Sequence, residues 1–312
     1  MVKLGEALDE KNQESLAKEC EEALKQVNML MSTYIPESEL SLFNASRSLD
    51  WFDVSPQTLK VVKAGIDIGK LSGGAFDIAI GPLVNLWGFG PMDRPLNIPD
   101  REKIVQILEF SKFSLLSTRN EPPALKKADA RTYIDLSGIA KGYGVDVLAE
   151  LLISRGHPNF MVEIGGEIRT SGNKFGTPWE IAVERPSEKD FRRSIFRIVQ
   201  LGSSAIATSG DYRNYYEEDG LRFSHIIDPR TGYPIEHKLA SVTVISSSSM
   251  LADAWATAFS VLDEKKVKEL AKTFRLPVYL IEKQGSDFLE WYNEEFAAFL
   301  KPIPSEGAST SS

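Results

Sequence analysis

The chain has 312 residues, of which 42% are hydrophobic and 26% are charged, as in an ordinary globular protein. Its net charge is −8, and no run of Lys or Arg is long enough to follow a phosphate backbone, so we do not expect nucleic acid as a partner. The length is about twice that of a typical domain, which predicts either one large domain or two subdomains.

Cysteine usage and hydropathy exclude further classes. The single cysteine, Cys20, rules out a disulfide within the chain and argues against a structural zinc site. It lies on the apolar face of an amphipathic helix predicted for residues 14 to 31, so we interpret it as a small buried hydrophobe. No segment reaches about 18 consecutive apolar residues, and the residues before the helix show neither the basic n-region nor the apolar h-region of a signal peptide. We expect a soluble chain, compatible with the mature part of a longer precursor.

The first third of the chain predicts helices separated by glycine-rich turns. Residues 36 to 39 predict either the cap of a short helix or a loop, and Ser55-Pro56 starts a helix that ends at Ser72-Gly73-Gly74. Residues 75 to 84 predict a strand-like run between two glycine breaks. Asp77 lies there beside glycines that suit a close backbone approach to a ligand, although a plain turn is the commoner explanation.

A strand-to-helix junction follows, with a strand predicted for residues 132 to 136 and a helix for residues 139 to 155. The small residues Ser137-Gly138 let backbone groups reach a phosphate or its metal, and the helix N-terminus favours an anion. Asp135 ends the strand, and Lys141 lies within reach of the same ligand, although a solvated helix residue is the alternative. The glycine spacing matches neither the dinucleotide fingerprint nor a P-loop.

Short strands dominate the rest of the chain. Turn signals separate strands predicted at residues 160–164, 167–170, 179–184, 195–201, 240–245 and 278–282. This spacing favours antiparallel sheets, and with the helices it predicts an α+β fold. Residues 305 to 312 predict a disordered tail.

One segment carries a histidine, a carboxylate and a guanidinium on a strand that runs into a turn. The β-branched Ile226 and Ile227 belong to a strand predicted for residues 222 to 228. The turn after it presents Asp228 and Arg230 at the strand's mouth. A ligand site and a polar hairpin tip both explain this segment.

A second polar pair lies on a helix that begins among Ser246 to Ser249. Asp253 and Thr257 are four residues apart and therefore share one face of that helix. Local stabilisation through the helix dipole and a hydroxyl-to-carbonyl bond explains the pair. A hard-cation site also explains it, since these oxygens, a backbone carbonyl and phosphate oxygens form an octahedral Mg²⁺ shell.

Seven segments, in one order from about residue 14 to residue 300, together resemble the ApbE family of FAD:protein FMN transferases. They are Ser32-Thr33-Tyr34 with Phe43-Asn44, Gly74-Ala75-Phe76-Asp77 with Gly81-Pro82, Asp135-Leu136-Ser137-Gly138 with Lys141-Gly142, Gly165-Gly166-Glu167, Thr208-Ser209-Gly210-Asp211-Tyr212-Arg213, Ser224-His225-Ile226-Ile227-Asp228-Pro229 and Ala252-Asp253-Ala254-Trp255-Ala256-Thr257. Each segment alone is a weak signal, whereas their common order is specific.

The resemblance implies a tandem T-fold-like architecture, with helices packed on antiparallel sheets and a ligand site between two related halves. Residues 1 to 304 would form a single domain of two intertwined subdomains. The family splits FAD with Mg²⁺, attaches FMN through a phosphoester to a threonine of an acceptor protein, such as a subunit of a membrane redox complex, and releases AMP. Its members are periplasmic or extracytoplasmic and often lipid-anchored.

The resemblance also implies roles for individual residues. The residues expected to contact FAD are Tyr34, Ala75, Phe76, Asp77, Asp135, Lys141 and Ile227. The carbonyl of Gly138, Asp253 and Thr257 would hold Mg²⁺. His225 would help to deprotonate the acceptor threonine, with Asp228 as the alternative.

Two departures from the family pattern bear on these roles. The Met-Gly-Thr segment that usually lies near the flavin is absent, so either the sequence starts late or part of that wall is missing. Some members carry a second aspartate where this chain has Ala256, so we expect weaker metal binding without FAD. Two other functions use the same residues: a Mg²⁺-dependent FAD pyrophosphatase, and a non-catalytic protein that binds or stores FAD.

Overall fold

A computed structural model of the protein describes residues 1–91, 98–184, 195–210, 215–218, 221–235, 239–285 and 287–302. Residues 215–218 and 221–223 are described by their backbone alone. The predicted tail at 305–312 and Asp211-Tyr212-Arg213 of the fifth motif lie outside the described residues.

The helices and strands alternate along most of the chain. Within the described residues the helices are α1 Glu10–Met31, α2 Glu39–Ala45, α3 Pro56–Leu71, α4 Gly81–Leu86, α5 Arg101–Leu108, α6 Ala140–Ser154, α7 Ser249–Val261, α8 Glu264–Phe274 and α9 Glu294–Ala297. The strands are β1 Val2–Leu4, β2 Phe52–Asp53, β3 Leu116–Arg119, β4 Ala124–Lys127, β5 Phe160–Ile164, β6 Glu167–Ser171, β7 Trp179–Glu184, β8 Ile195–Leu201, β9 Ala205–Gly210, β10 Tyr215–Glu218, β11 Leu221–Ser224, β12 Leu239–Ser246, β13 Val278–Gln284 and β14 Asp287–Tyr292.

The central element is a seven-stranded antiparallel sheet in the order β1-β5-β6-β9-β12-β13-β14. Three smaller antiparallel sheets, β2-β4-β3, β7-β8 and β10-β11, complete the described strands. Helices α6 and α7 pack against each other and against strands of the large sheet. The predicted α+β class is therefore confirmed. Within the described part of the chain, no helix is both long and apolar enough to cross a bilayer.

Short polar side chains cap the starts of six of the described helices, and four of these caps bear on the predictions. Ser55 caps α3, as predicted, by accepting a hydrogen bond from the N–H of Thr58. Ser248 caps α7. Ser38 caps α2, so of the two alternatives for residues 36–39 the cap of a short helix is correct. The first helix begins at Glu10 and not at residue 14, because Asp9 supplies the cap that hydrophobic periodicity cannot reveal.

The starts of α6 and α7 lie unusually close together. A Cβ atom on Gly142 would lie 2.2 Å from the carbonyl oxygen of Ser249, so only glycine allows this contact. Four residues later, buried Asp146 accepts hydrogen bonds from the backbone N–H groups of Ser249 and Met250, both at 3.0 Å, and from the Ser248 hydroxyl at 2.7 Å. One carboxylate on α6 therefore stabilises the N-terminus of α7.

The strand predicted for residues 132–136 is wrong. The segment belongs to none of the described sheets, although Ile134 and Leu136 are buried. The side-chain amide of Asn44 takes the place of a neighbouring strand: it donates to the carbonyl of Ile134 and accepts from its N–H, both at 2.8 Å. The N–H of Asp135 donates to the carbonyl of Ile78 at 2.7 Å.

The strand-like run predicted within residues 75–84 is also wrong. Asp77 accepts a hydrogen bond from the N–H of Ala79 at 2.8 Å, which closes a turn. Helix α4 begins directly after it at Gly81-Pro82, because proline is favoured in the first helical turn. The apolar side chains of this run belong to a turn and to the start of a helix, and not to a strand.

The strand predicted for residues 222–228 ends earlier, at Ser224. Its hydroxyl accepts from the N–H of Ile226 at 3.1 Å, and a single bridge then pairs Ile227 with Pro234. Both isoleucines are buried, which explains why their pattern resembles a strand.

We expect Asn44→Ala to lower the free energy of unfolding by about 2 kcal/mol or more, because it leaves two buried backbone groups of Ile134 without partners. Urea denaturation followed by tryptophan fluorescence measures the change. Asn28→Ala on the exposed face of α1 is the matched control and should change stability by less than about 0.5 kcal/mol. Equal stability of the two variants would contradict the role of Asn44.

Candidate active site

A cavity of about 740 Å³ lies where β6, β7, β9, the start of α6 and the turn after β11 meet. Several residues predicted for the site line it: Ala75, Phe76, Asp77, Asp135, Gly138, Lys141, His225, Ile227 and Thr257. Asp253 is 1% exposed and lies directly behind Lys141. The fold thus brings together residues that are up to about 180 positions apart in the sequence.

Lys141 stands between two buried carboxylates. Its Nζ atom is 2.9 Å from Oε1 of Glu167 and 3.4 Å from Oδ1 of Asp253. Burial alone would lower the pKa of Lys141, but the charges of Asp253 and Glu167 outweigh burial and raise it. The ammonium therefore stays charged on the wall of the cavity.

The two carboxylates have little other compensation. Burial raises the pKa of Asp253, opposed by the charge of Lys141 and by the N–H of Gly142, which donates to Oδ2 at 3.0 Å. Burial, and then the neighbouring charge of Asp253, raise the pKa of Glu167 to about 7. Oε2 of Glu167 is buried and has no hydrogen-bond partner among the described residues. Such a cluster favours an additional positive group.

Glu167 has no role in the prediction from sequence, although it belongs to one of the seven segments. The sequence feature that could have pointed to Glu167 is the pair Gly165-Gly166 before it. Both glycines have a positive φ, of 63° and 103°. Glycine adopts this conformation readily, and the resulting turn aims the first residue of β6 at the cavity. What the sequence could not reveal is that Lys141 would be its partner.

Two of the three oxygen groups predicted to hold a cation lie close to each other. Thr257 Oγ1 is 3.5 Å from the carbonyl oxygen of Gly138 and 3.5 Å from the hydroxyl of Ser209. A Cβ on Gly138 would lie 3.1 Å from both Phe76 and Thr257, so a larger residue would push these groups apart. With Asp253 one turn away, the set consists of hard oxygen donors, which fit Mg²⁺.

Carboxylates alone do not make this a complete metal site. The described ranges contain no cluster of three or more His, Cys, Asp or Glu side chains that could hold a metal. Mg²⁺ is commonly held by one or two carboxylates together with substrate phosphates, so the donors present suit an ion that a phosphate ligand helps to bind.

The turn after β11 brings His225 to the lining of the cavity. His225 is partly buried, and its ring lies edge-on to Phe89 with centroids 6.4 Å apart. Ile227 is 3% exposed and packs with apolar residues of α4 and α5. Trp87 Nε1 donates to the carbonyl of Gly232 at 2.8 Å and so fastens the turn to the same helices.

Asp77 holds its loop by both carboxylate oxygens, which accept from the N–H groups of Ala79 at 2.8 Å and Phe113 at 3.0 Å. Burial nevertheless raises the pKa of Asp77 to about 6, because it outweighs these two bonds. The residue shapes the lining next to Phe76.

Besides Asp253, two predicted site residues lie off the lining of the cavity. Tyr34 is 68% exposed, and Asp228 is engaged by Arg230, which donates from Nε at 2.9 Å and from Nη2 at 2.8 Å. This bidentate pair assigns Arg230, which the sequence left without a role, to stabilising the turn. The functional roles of Tyr34 and Asp228 stay predictions.

Comparison with known proteins agrees with the resemblance. The model of the ApbE family matches residues 2–280. The FAD:protein FMN transferase of Vibrio cholerae is 47% identical over 92% of this chain and 85% of its own length, and that of Escherichia coli is 40% identical over 94% and 84%. The solved flavin transferase ApbE from Vibrio cholerae superposes with a TM-score of 0.85 at 45% identity, covering 94% of this chain and 92% of that one. The predicted ApbE-like architecture is thereby confirmed, and this chain belongs to the ApbE family.

Proposed function

We propose that this protein transfers FMN from FAD to a threonine side chain of an acceptor protein and releases AMP. The relatives named FAD:protein FMN transferase support the reaction class, since they match nearly the whole chain. The observation that carries the proposal is the juxtaposition of Lys141, Thr257 and His225 on one cavity, with Asp253 behind Lys141. In this proposal Lys141 binds phosphate, the oxygens of Thr257 and Asp253 bind a metal cation, and His225 acts as the base.

The cavity suits FAD in size and in chemistry. Its volume of about 740 Å³ falls within the range of about 300–1,000 Å³ that is typical of ligand pockets. The ammonium of Lys141 would face the pyrophosphate, while Ala75, Phe76 and Ile227 provide apolar surface for the ligand's rings. The N-terminus of α6 beside Gly138 adds a favourable dipole for the phosphates.

A bound Mg²⁺ would be held by Asp253, Thr257 and the carbonyl of Gly138. Its chemistry would be to neutralise charge on the pyrophosphate as the phosphorus–oxygen bond breaks. The protein's own contribution is positioning, because phosphoryl transfer depends mainly on alignment and on charge stabilisation.

His225 would accept the proton of the acceptor threonine. The threonine oxygen then forms a bond to the FMN phosphorus, and the bond from that phosphorus to the bridging oxygen breaks. AMP leaves with the electron pair of that bond, so the products are AMP and FMN joined through its own phosphate to the threonine oxygen. A histidine is suited to this step because its unperturbed pKa lies near neutral pH.

The acceptor and the cellular location are also proposals. The resemblance supports an acceptor within a membrane redox complex and a periplasmic or extracytoplasmic location, with a lipid anchor on the full-length precursor.

Incubation with FAD, Mg²⁺ and a threonine-bearing acceptor tests the reaction by mass spectrometry of the acceptor and by AMP release. AMP without an adduct would indicate a pyrophosphatase, and neither product would indicate a binding protein.

We expect Asp253→Asn to lower the transfer rate by about 100-fold or more at saturating FAD, because it removes the one carboxylate among the proposed cation donors. Asp67→Asn on the exposed face of α3 is the control and should leave the rate unchanged. AMP release and acceptor mass report the rate, and a thermal melt checks that the variant is folded. Full FMN transfer by Asp253→Asn would refute the cation assignment.

We expect His225→Gln to slow transfer by about 10²-fold or more while FAD affinity changes little, because a general base acts in the chemical step. Single-turnover kinetics measures the transfer rate, and a titration with FAD followed by flavin fluorescence measures the affinity. His157→Gln, which affects a surface histidine paired with Glu6, is the matched control. An unchanged single-turnover rate in His225→Gln would exclude His225 as the base.

A further inference from the structure

The cluster at the cavity wall contains two carboxylates and one ammonium. Glu167 and Asp253 have side-chain exposures of 4% and 2%, and both face the Nζ atom of Lys141. One carboxylate oxygen, Oε2 of Glu167, lacks a hydrogen-bond partner among the described residues. A buried carboxylate that is not fully compensated is costly, so its presence calls for an explanation beyond packing.

Lys141 and a cation would compete for the same atom. Oδ2 of Asp253 already accepts a hydrogen bond from the N–H of Gly142 at 3.0 Å, so Oδ1 is the better placed oxygen for a cation. That oxygen is also the one that Lys141 approaches, at 3.4 Å. A divalent ion at Oδ1 would be repelled by the ammonium unless Lys141 is held away from that oxygen.

The geometry shows which carboxylate holds the ammonium more closely. Lys141 lies 2.9 Å from Glu167, which is hydrogen-bond distance for a charged pair, and further from Asp253. The turn before β6 stabilises this arrangement. The Cβ position of Gly165 lies 3.4 Å from both the stem of Lys141 and Oε2 of Glu167, so the turn packs against the pair.

We propose that Glu167 is a positioning residue that holds Lys141 and so keeps Oδ1 of Asp253 open to a divalent cation. The inference rests on the proposed function only in assigning a cation to Asp253. With the ion bound, Lys141 remains beside Glu167 on the cavity lining, where it can still face the phosphates of FAD. Without Glu167, the ammonium would pair with Asp253 and oppose cation binding.

Mn²⁺ binding to the folded protein without FAD tests this proposal, with free Mn²⁺ measured by electron paramagnetic resonance. We expect the isosteric variant Glu167→Gln to bind Mn²⁺ about ten-fold more weakly than the wild type, the size of effect found when a partner of a metal ligand is removed. Glu163→Gln makes the same change of charge at the same cavity, without an ion pair to Lys141 in the structure, and should bind Mn²⁺ like the wild type.

A double variant shows whether Glu167 acts through Lys141. Lys141→Met should bind Mn²⁺ at least as tightly as the wild type, and adding Lys141→Met to Glu167→Gln should restore most of the lost affinity. Equal affinities of Glu167→Gln and the wild type would overturn the proposal. A double variant as weak as Glu167→Gln would also overturn it, because Glu167 would then be a direct ligand of the ion.

Failure of this proposal can be told apart from failure of the proposed function, since the Mn²⁺ measurement uses neither FAD nor an acceptor. If the wild type and the variants bind Mn²⁺ in the expected order of affinities but the wild type transfers no FMN, only the transferase function is refuted. A wild type that transfers FMN, while Glu167→Gln binds Mn²⁺ as tightly as the wild type does, would refute only the positioning role.

Discussion

The contact between the starts of α6 and α7 is the constraint on which the site depends. It requires Gly142, because a side chain there would overlap the backbone at Ser249. It is stabilised by the carboxylate of Asp146, which accepts from the first N–H groups of α7. Only because these helix starts are adjacent can Lys141 on α6 lie within 3.4 Å of Asp253 on α7. A helix contact that serves packing also assembles the charged cluster.

That cluster opposes stability and favours ligand binding. Two buried carboxylates share one ammonium, and burial raises the pKa of both acids. In a purely structural core, apolar residues of the same size would be as good or better. In the proposed function, the excess negative charge attracts a cation and the ammonium attracts phosphate. The site would then hold two ligands of opposite charge together, as the breaking of a pyrophosphate requires.

Three segments at or beside the cavity are irregular although their sequences resemble strands. Buried isoleucines at Ile78, Ile134 and Ile227 produce the apolar pattern of a strand, but none of them lies in a β-ladder. Side chains satisfy the backbone there instead, as with Asn44 at Ile134 and Asp77 at Ala79. Apolar periodicity reports burial and cannot tell which group will accept a given N–H, so these three predictions failed, while strands such as β6 and β7 were predicted correctly.

The sequence by itself determined what depends on neighbours along the chain. Capping serines placed helix starts at Ser55 and among Ser246 to Ser249, turn signals between short apolar runs placed six of the fourteen described strands, and the ordered motifs identified the family. Only the tertiary structure decided what depends on distant partners. It paired Lys141 with Glu167, and it engaged Asp228 with Arg230 in preference to the cavity. The reason is physical: a hydrogen bond or an ion pair is set by distances of about 3 Å between atoms, and residues 26 or 112 positions apart reach such distances only after the chain has packed.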